Sequence, residues 1–417
     1  MAKDRLRIPL VWIRVQLAFM GCLFFVTSSG ISAEPTNAST TGSEDQARVV
    51  TRASGLTEPL FGTYHVSQQH QIKPGNAFYP SIANLNGTLY VIQGSHNSLF
   101  IQTLDPKTFE PGEATEVWNT QKDTGNRKLT YPPGVNDIRA FDGKLYFSTT
   151  CAWDARAEGL SKNAGLVALL FSYDPKIGPA SIKVIERLEG AQDMDMTIWN
   201  DQLWVSLVQG DPQSKDPDDL FGHIELRPLA GDRLGRGIRW DSREHGLELA
   251  YHCAPCGFGD RVYLVFTAFH RPSQGNLWML ESDGKTFGNL RIIEGDQFDE
   301  HQGLSCYAHM DVWDGKMWMF FKRSKRTYER DGGHRYYDIG VLTMDSDRIV
   351  SPMELLVADD SYNSGPNPVV WKDSLFVVLE KISEAYFAPW NGSRIGTWSL
   401  RIEKSESYSK NSLPSAE

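Results

Sequence analysis

The feature that most limits what this chain can fold into is a hairpin signature that returns six times. Aligned on Leu89, Leu145, Leu203, Val262, Met317 and Leu375, successive anchors lie 56, 58, 59, 55 and 58 residues apart. The residue after each anchor is aromatic: Tyr90, Tyr146, Trp204, Tyr263, Trp318 and Phe376. Four residues before each anchor stands a large apolar side chain: Leu85, Phe141, Trp199, Phe258, Trp313 and Trp371. Between them sit two turn residues, such as Asn86-Gly87, Asp142-Gly143 and Asp314-Gly315, which tolerate the positive φ of a two-residue hairpin. A fixed period is the mark of a repeat architecture.

A third β-rich run follows each hairpin, and a fourth follows in most repeats, with no helical periodicity between them. Four antiparallel strands repeated six times predict an all-β, six-bladed β-propeller. A solenoid rung is much shorter than this repeat, and two β-sandwiches would not reuse one hairpin six times. The last repeat lacks its fourth strand. The β-like segments Arg48–Thr51 and Gly62–Ser67 are expected to supply it and so close the ring, sparing an unpaired edge.

The ends read differently from the repeat. Residues 1–33 resemble a secretory leader, with Lys3, Arg5 and Arg7 before an apolar run from Val15 to Val26 and a cleavage point after Ala33. Residues 34–46 read as a linker, 47–403 as one propeller domain and 404–417 as a polar tail, so the expected location is secreted or periplasmic, without membrane attachment after cleavage. Cys253 and Cys256 have redox or zinc-pair spacing, but no matching second pair exists. Buried thiols or one structural bridge among Cys151, Cys253, Cys256 and Cys306 is the reading. The acidic loops fit no calcium pattern beyond a weak structural site, so no metal or other cofactor is expected. A net charge of −10 argues against a nucleic-acid partner, and a monomer is expected.

Long, unequal connections between second and third strands, opposite the tight turns, mark the face where function should lie. Eight residues before the anchors stand Ser81, Asp137, Asp195, Ala254, His309 and Asn367. Arg139 and Asp311 follow two residues later, and Tyr79, Asp193, His252 and Tyr307 lie just upstream. Asp137, Asp195 and His309 are the candidate catalytic groups, because paired carboxyls and an imidazole suit acid–base work. Inner-strand Asp and Asn can equally tie neighbouring blades together. Tyr79, Arg139, His252, His270, Arg271, Lys322 and Arg323 are the candidate substrate-binding residues, the last four from basic ends of second strands suited to gripping an anion.

The opening repeat, Phe78-Tyr79-Pro80-Ser81-Ile82 through Tyr90, resembles the first blade of sialidase-like propellers. Ser282-Asp283-Gly284-Lys285-Thr286-Phe287 resembles a shortened Asp-box of that superfamily, and Leu104–Phe109 a degenerate one. The resemblance implies a six-bladed fold and a glycan-directed activity. Tyr79 stands where those enzymes carry a carboxylate-binding arginine, so the chain resembles a divergent member. The expected function is an exported glycoside hydrolase acting on an anionic oligo- or polysaccharide. The alternatives are a His/Tyr polysaccharide lyase of uronate-containing glycans and a non-catalytic propeller that binds glycan or protein.

Overall fold

The computed structural model describes residues 60–72, 78–95, 97–129, 134–216, 221–270, 276–294, 305–324, 337–346, 348–357, 362–382 and 395–405. These form a six-bladed propeller. Blade one runs through strands Phe78–Leu85, Thr88–Ser95, Ser98–Leu104 and Thr115–Asn119; blade two through Gly134–Phe141, Lys144–Ala152, Leu166–Tyr173 and Lys183–Glu189. The inner hairpins of blades three to six are Ala191–Trp199 with Gln202–Gln209, Leu247–Phe258 with Arg261–His270, Ser305–Trp313 with Lys316–Ser324, and Tyr362–Trp371 with Ser374–Ile382. Every hairpin pairs antiparallel about the dipeptide read from the sequence. Both turn residues have positive φ at Asn86-Gly87, Asp142-Gly143, Asn200-Asp201 and Asp314-Gly315, the backbone of a type I′ turn.

Closure follows the expected route. Tyr64–Ile72 pairs antiparallel with Ile395–Lys404 as the outermost strand of blade six. At its start, Tyr64, with Leu60 just upstream, is buried beside Trp313 and Trp318 of blade five, and the Tyr64 hydroxyl donates to Asp314 Oδ2 at 2.7 Å. The segment Arg48–Thr51 lies outside the described residues, as do residues 1–33 and 34–46.

A blade has two faces, and in a closed ring both are buried, so its strands are apolar without alternation. Leu166–Tyr173 and Tyr337–Met344 are buried at every residue. The core divides into six clusters, one at each contact between neighbouring blades. Each large apolar side chain buried there stabilises the fold by about 1.5–3 kcal/mol. Cys253 and Cys256, three residues apart on one strand, point to opposite faces and enter different clusters. With Cys151 they are free buried thiols.

The Asp-box turns sit at the far end from the long connections. Asp283 Oδ1 accepts from the backbone N–H of Lys285 and Thr286 at 2.9 and 2.8 Å, and Asp105 Oδ1 does the same for Lys107 and Thr108. These bonds hold both carboxyls below the usual range. Phe109, which closes the blade-one turn, is buried against Phe376 of blade six with ring centroids 5.5 Å apart.

Candidate functional site

All six inner strands slip register within a residue of the same step: Phe78/Ser81, Val135/Ile138, Gln192/Asp195, Tyr251/Cys253, Cys306/His309 and Ser364/Asn367. The residue ten before the anchor takes left-handed backbone in five blades: Tyr79 (φ 46), Asp193 (φ 52), His252 (φ 62), Tyr307 (φ 50) and Gly365 (φ 57). In the second blade this step is Val135, a β-branched residue, and its backbone stays ordinary. Such backbone is costly for Tyr, Asp and His, and bulges that re-aim side chains gather at functional sites. The bulge brings two rings of side chains onto the channel, one at its mouth and one a step deeper.

The upper ring holds Tyr79, Asp193, His252 and Tyr307. The Tyr79 and Tyr307 rings lie 6.1 Å apart, and His252 lies 5.5 Å from Tyr307. Two second-strand residues, each five past its anchor, join them. Lys322 is buried, with Nζ 5.2 Å from the Tyr307 ring centre and 4.0 Å from that of Tyr337. Glu380 is buried and accepts the Tyr79 backbone N–H at 3.3 Å. Burial raises Glu380 to about 7, against the pull of that bond and of Lys322. Burial likewise pushes Asp193 up to about 7, although its Oδ2 accepts the His252 N–H at 2.9 Å.

In the deeper ring, Asp137 is saturated. Its oxygens accept from the backbone N–H of Ile138 at 2.8 Å and of Met196 at 2.9 Å, and from Asn367 Nδ2 at 3.3 Å, with Arg139 Nε at 3.4 Å. It thereby ties blade two to blades three and six. Arg139 crosses the ring: Nε donates to Met196 O at 3.0 Å and Nη2 to Met310 O, on the opposite blade, at 3.5 Å. Asp195 is as buried as Asp137, yet neither of its oxygens has a hydrogen-bond donor among the described residues. His252 Nδ1 stands 3.5 Å from Asp195 Oδ2. Burial, then the Asp137 and Asp193 charges, push Asp195 well above the carboxylate range. His252 Nε2 donates to Ala308 O at 2.8 Å, and burial lowers that imidazole to about 4. His309 meets His252 edge to face at 4.7 Å, and its Nδ1 lies 3.3 Å from Asn367 Nδ2. Burial, then the neighbouring His252 and Arg139, hold it neutral.

The structure therefore gathers Asp137, Asp195, His309, Tyr79, Arg139, His252 and Lys322 in one channel. Arg323, next along the strand from Lys322, turns to the other face, where its guanidinium lies 3.9 Å from the Met353 sulfur. His270 ends its strand, and its side chain, like all of Arg271, lies outside the described residues. Glu380 was not singled out from the sequence. The signal was a lone acid following the apolar run Leu375–Leu379 inside the strand Ser374–Ile382.

A propeller with these rings of acids, imidazoles and phenols at one end of its channel defines the class of protein. No family model matches the sequence, and no curated protein does. Among solved structures, the chain is similar to a Dyadobacter fermentans protein of unknown function, with a TM-score of 0.57 and 13% identity over 82% of this chain and 99% of that one. It is also similar to the GH93 α-L-arabinofuranosidase of Fusarium graminearum, TM-score 0.52 and 12% identity over 81% and 98%. A Trypanosoma rangeli sialidase matches with a TM-score of 0.49 and 10% identity over 80% and 55%. At these identities the likeness is one of fold.

Proposed function

We propose that the chain is a glycoside hydrolase acting at the channel mouth on an anionic glycan. Glu380 carries the reading: a buried carboxyl held at about 7, against a tyrosine and near a buried lysine. A carboxylic acid kept protonated near neutrality is the group that can hand a proton to a departing glycosidic oxygen. Asp193, on the blade opposite that of Glu380, is the partner carboxylate. Lys322 neutralises the carboxylate or sulfate of the sugar, and the faces of Tyr79 and Tyr307 pack on its ring. Asp137 and Arg139 hold the channel wall beneath, and Asp195 and His309 act from that deeper step. The leader-like first 33 residues support export to meet such a substrate.

The ring contact of His252 with Tyr307, beside Lys322, favours a lyase as the second reading, with the lysine neutralising a uronate. A screen of sulfated, uronate-containing and sialylated glycans separates the two. Hydrolysis yields reducing ends without ultraviolet-absorbing unsaturated products, and Glu380→Gln lowers turnover by about 10²–10⁴-fold. Unsaturated products would replace hydrolysis with elimination. A wild-type chain that binds glycans but cleaves none would leave only the binding propeller.

A further inference from the structure

We propose that Asp195, His252 and His309 form a binding site for a divalent transition-metal ion of the zinc class, set in the channel below the upper ring. The three come from the inner strands of consecutive blades, and their ligand atoms all lie within 4.8 Å of one another. Nothing in the site depends on glycan cleavage.

The first support is the state of Asp195. A side chain 1% exposed, with neither carboxylate oxygen receiving a donor from the described residues, is a costly arrangement in a folded core. The second support is how the repeat produces it. Asp137 in blade two is satisfied by the N–H of Met196, seven residues before the next blade's anchor. At the same step, seven residues before the next anchor, the blade after Asp195 carries Pro255 and the blade after His309 carries Pro368. Proline has no N–H. Asp195 and His309 are thus the two deep-ring residues denied this backbone tie: Asp195 keeps the lone pairs of both oxygens among the described residues, and His309 meets the Asn367 amide at Nδ1, 3.3 Å away.

The third support is orientation. His252 donates Nε2–H to Ala308 O at 2.8 Å, which fixes the tautomer and leaves the Nδ1 lone pair toward Asp195. A backbone carbonyl on the far nitrogen is the usual outer partner of a metal-bound imidazole. The charge balance agrees: Asp137 is matched by Arg139 at 3.4 Å, while among the described residues no Lys or Arg lies within ion-pair distance of Asp195, whose neighbour is His252 Nδ1 at 3.5 Å. Two nitrogens and one carboxylate suit zinc, cobalt or nickel better than calcium or magnesium, which prefer all-oxygen shells. Tetrahedral ligands on zinc stand about 3.3 Å apart, so small side-chain rotations close the site. Three protein ligands leave a coordination position open for water or substrate.

The test uses the full chain stripped with a chelator and then titrated with Zn²⁺ by calorimetry, with Co²⁺ as a spectroscopic probe. The expected result is one zinc per chain, a raised melting temperature, a Co²⁺ visible band of low-symmetry coordination, and no competition from millimolar Mg²⁺ or Ca²⁺. Asp195→Asn and His309→Gln, each checked for native circular dichroism, should weaken zinc binding by at least about 100-fold. His65→Ala, at a surface imidazole beside Glu403, should leave it unchanged. Failure of the folded wild-type chain to take up zinc, or equal uptake by both channel variants, would overturn the site.

Discussion

Asp137 and Asp195 occupy the same step of neighbouring blades, equally buried on the channel wall, yet their surroundings are opposite. Asp137 receives two backbone N–H groups, one amide and one guanidinium. Asp195 receives no hydrogen bond from any described residue. The repeat therefore sets where a side chain stands and how deeply it is buried, while one residue on the next blade sets its chemistry. Met196 offers an N–H to the first aspartate; Pro255 offers none to the second. One acid is spent on holding blades together, and the other is kept for other work.

The largest expected effect comes from breaking the saturated side. Asp137→Ala leaves the Ile138 and Met196 N–H groups, the Asn367 amide and the Arg139 charge without their acceptor. Stripping one partner from a buried ionic network costs about 3–5 kcal/mol. Denaturant unfolding at pH 7 reads that loss, and Asp137→Asn should recover part of it. A cost below about 1 kcal/mol would mean that Asp137 is not a blade tie, and the contrast with Asp195 would collapse.

Glu380 falls between the two, with a single backbone donor from Tyr79, and it sharpens the contrast through pH. Its folded value of about 7 lies above the 4.5 of an exposed glutamate. Between those values the native state holds a proton that the unfolded chain has released, so stability falls as pH rises through this window. The penalty is absent below pH 4.5 and complete above pH 7. Glutamine carries no such penalty. Glu380→Gln should be more stable than the parent by up to about 3 kcal/mol at pH 8, with no gain by this route at pH 4. Melting temperatures across that range decide it; a pH-independent difference would place Glu380 in ordinary hydration.

How much of this was legible in the sequence follows from which interactions are local. The hairpin anchors, their turns and the first part of the closing strand, as far as Ser67, were readable because a type I′ turn and an aromatic pair leave marks within a few residues. The ring of Ser81, Asp137, Asp195, His309 and Asn367 was readable because the repeat fixes its step. The bulge just upstream was not, since a slipped register has no composition of its own; it shows only in the left-handed backbone of Tyr79, Asp193, His252 and Tyr307. Lys322 and Arg323 read as one basic grip, but adjacent strand residues face opposite ways and only Lys322 reaches the upper ring. Glu380 escaped because its meaning comes from Tyr79, some three hundred residues away in sequence. Nor could spacing alone tell Asp137 from Asp195: the difference is a proline on another blade.

That proline gives the smallest and most direct test. Pro255→Ala adds an N–H at the step where Met196 serves Asp137, so the metal-free chain should gain a hydrogen bond to Asp195. Giving a donor to a buried acceptor that had none contributes about 1–3 kcal/mol. Losing proline frees the unfolded chain and costs about 0.4–1 kcal/mol. The balance is a gain of about 1 kcal/mol, read by denaturant unfolding in the presence of chelator. The same donor would compete with zinc for the carboxylate, so the variant should bind the ion more weakly while folding more firmly. An alanine that destabilises the metal-free protein would show that something other than the missing N–H sets Asp195 apart from Asp137.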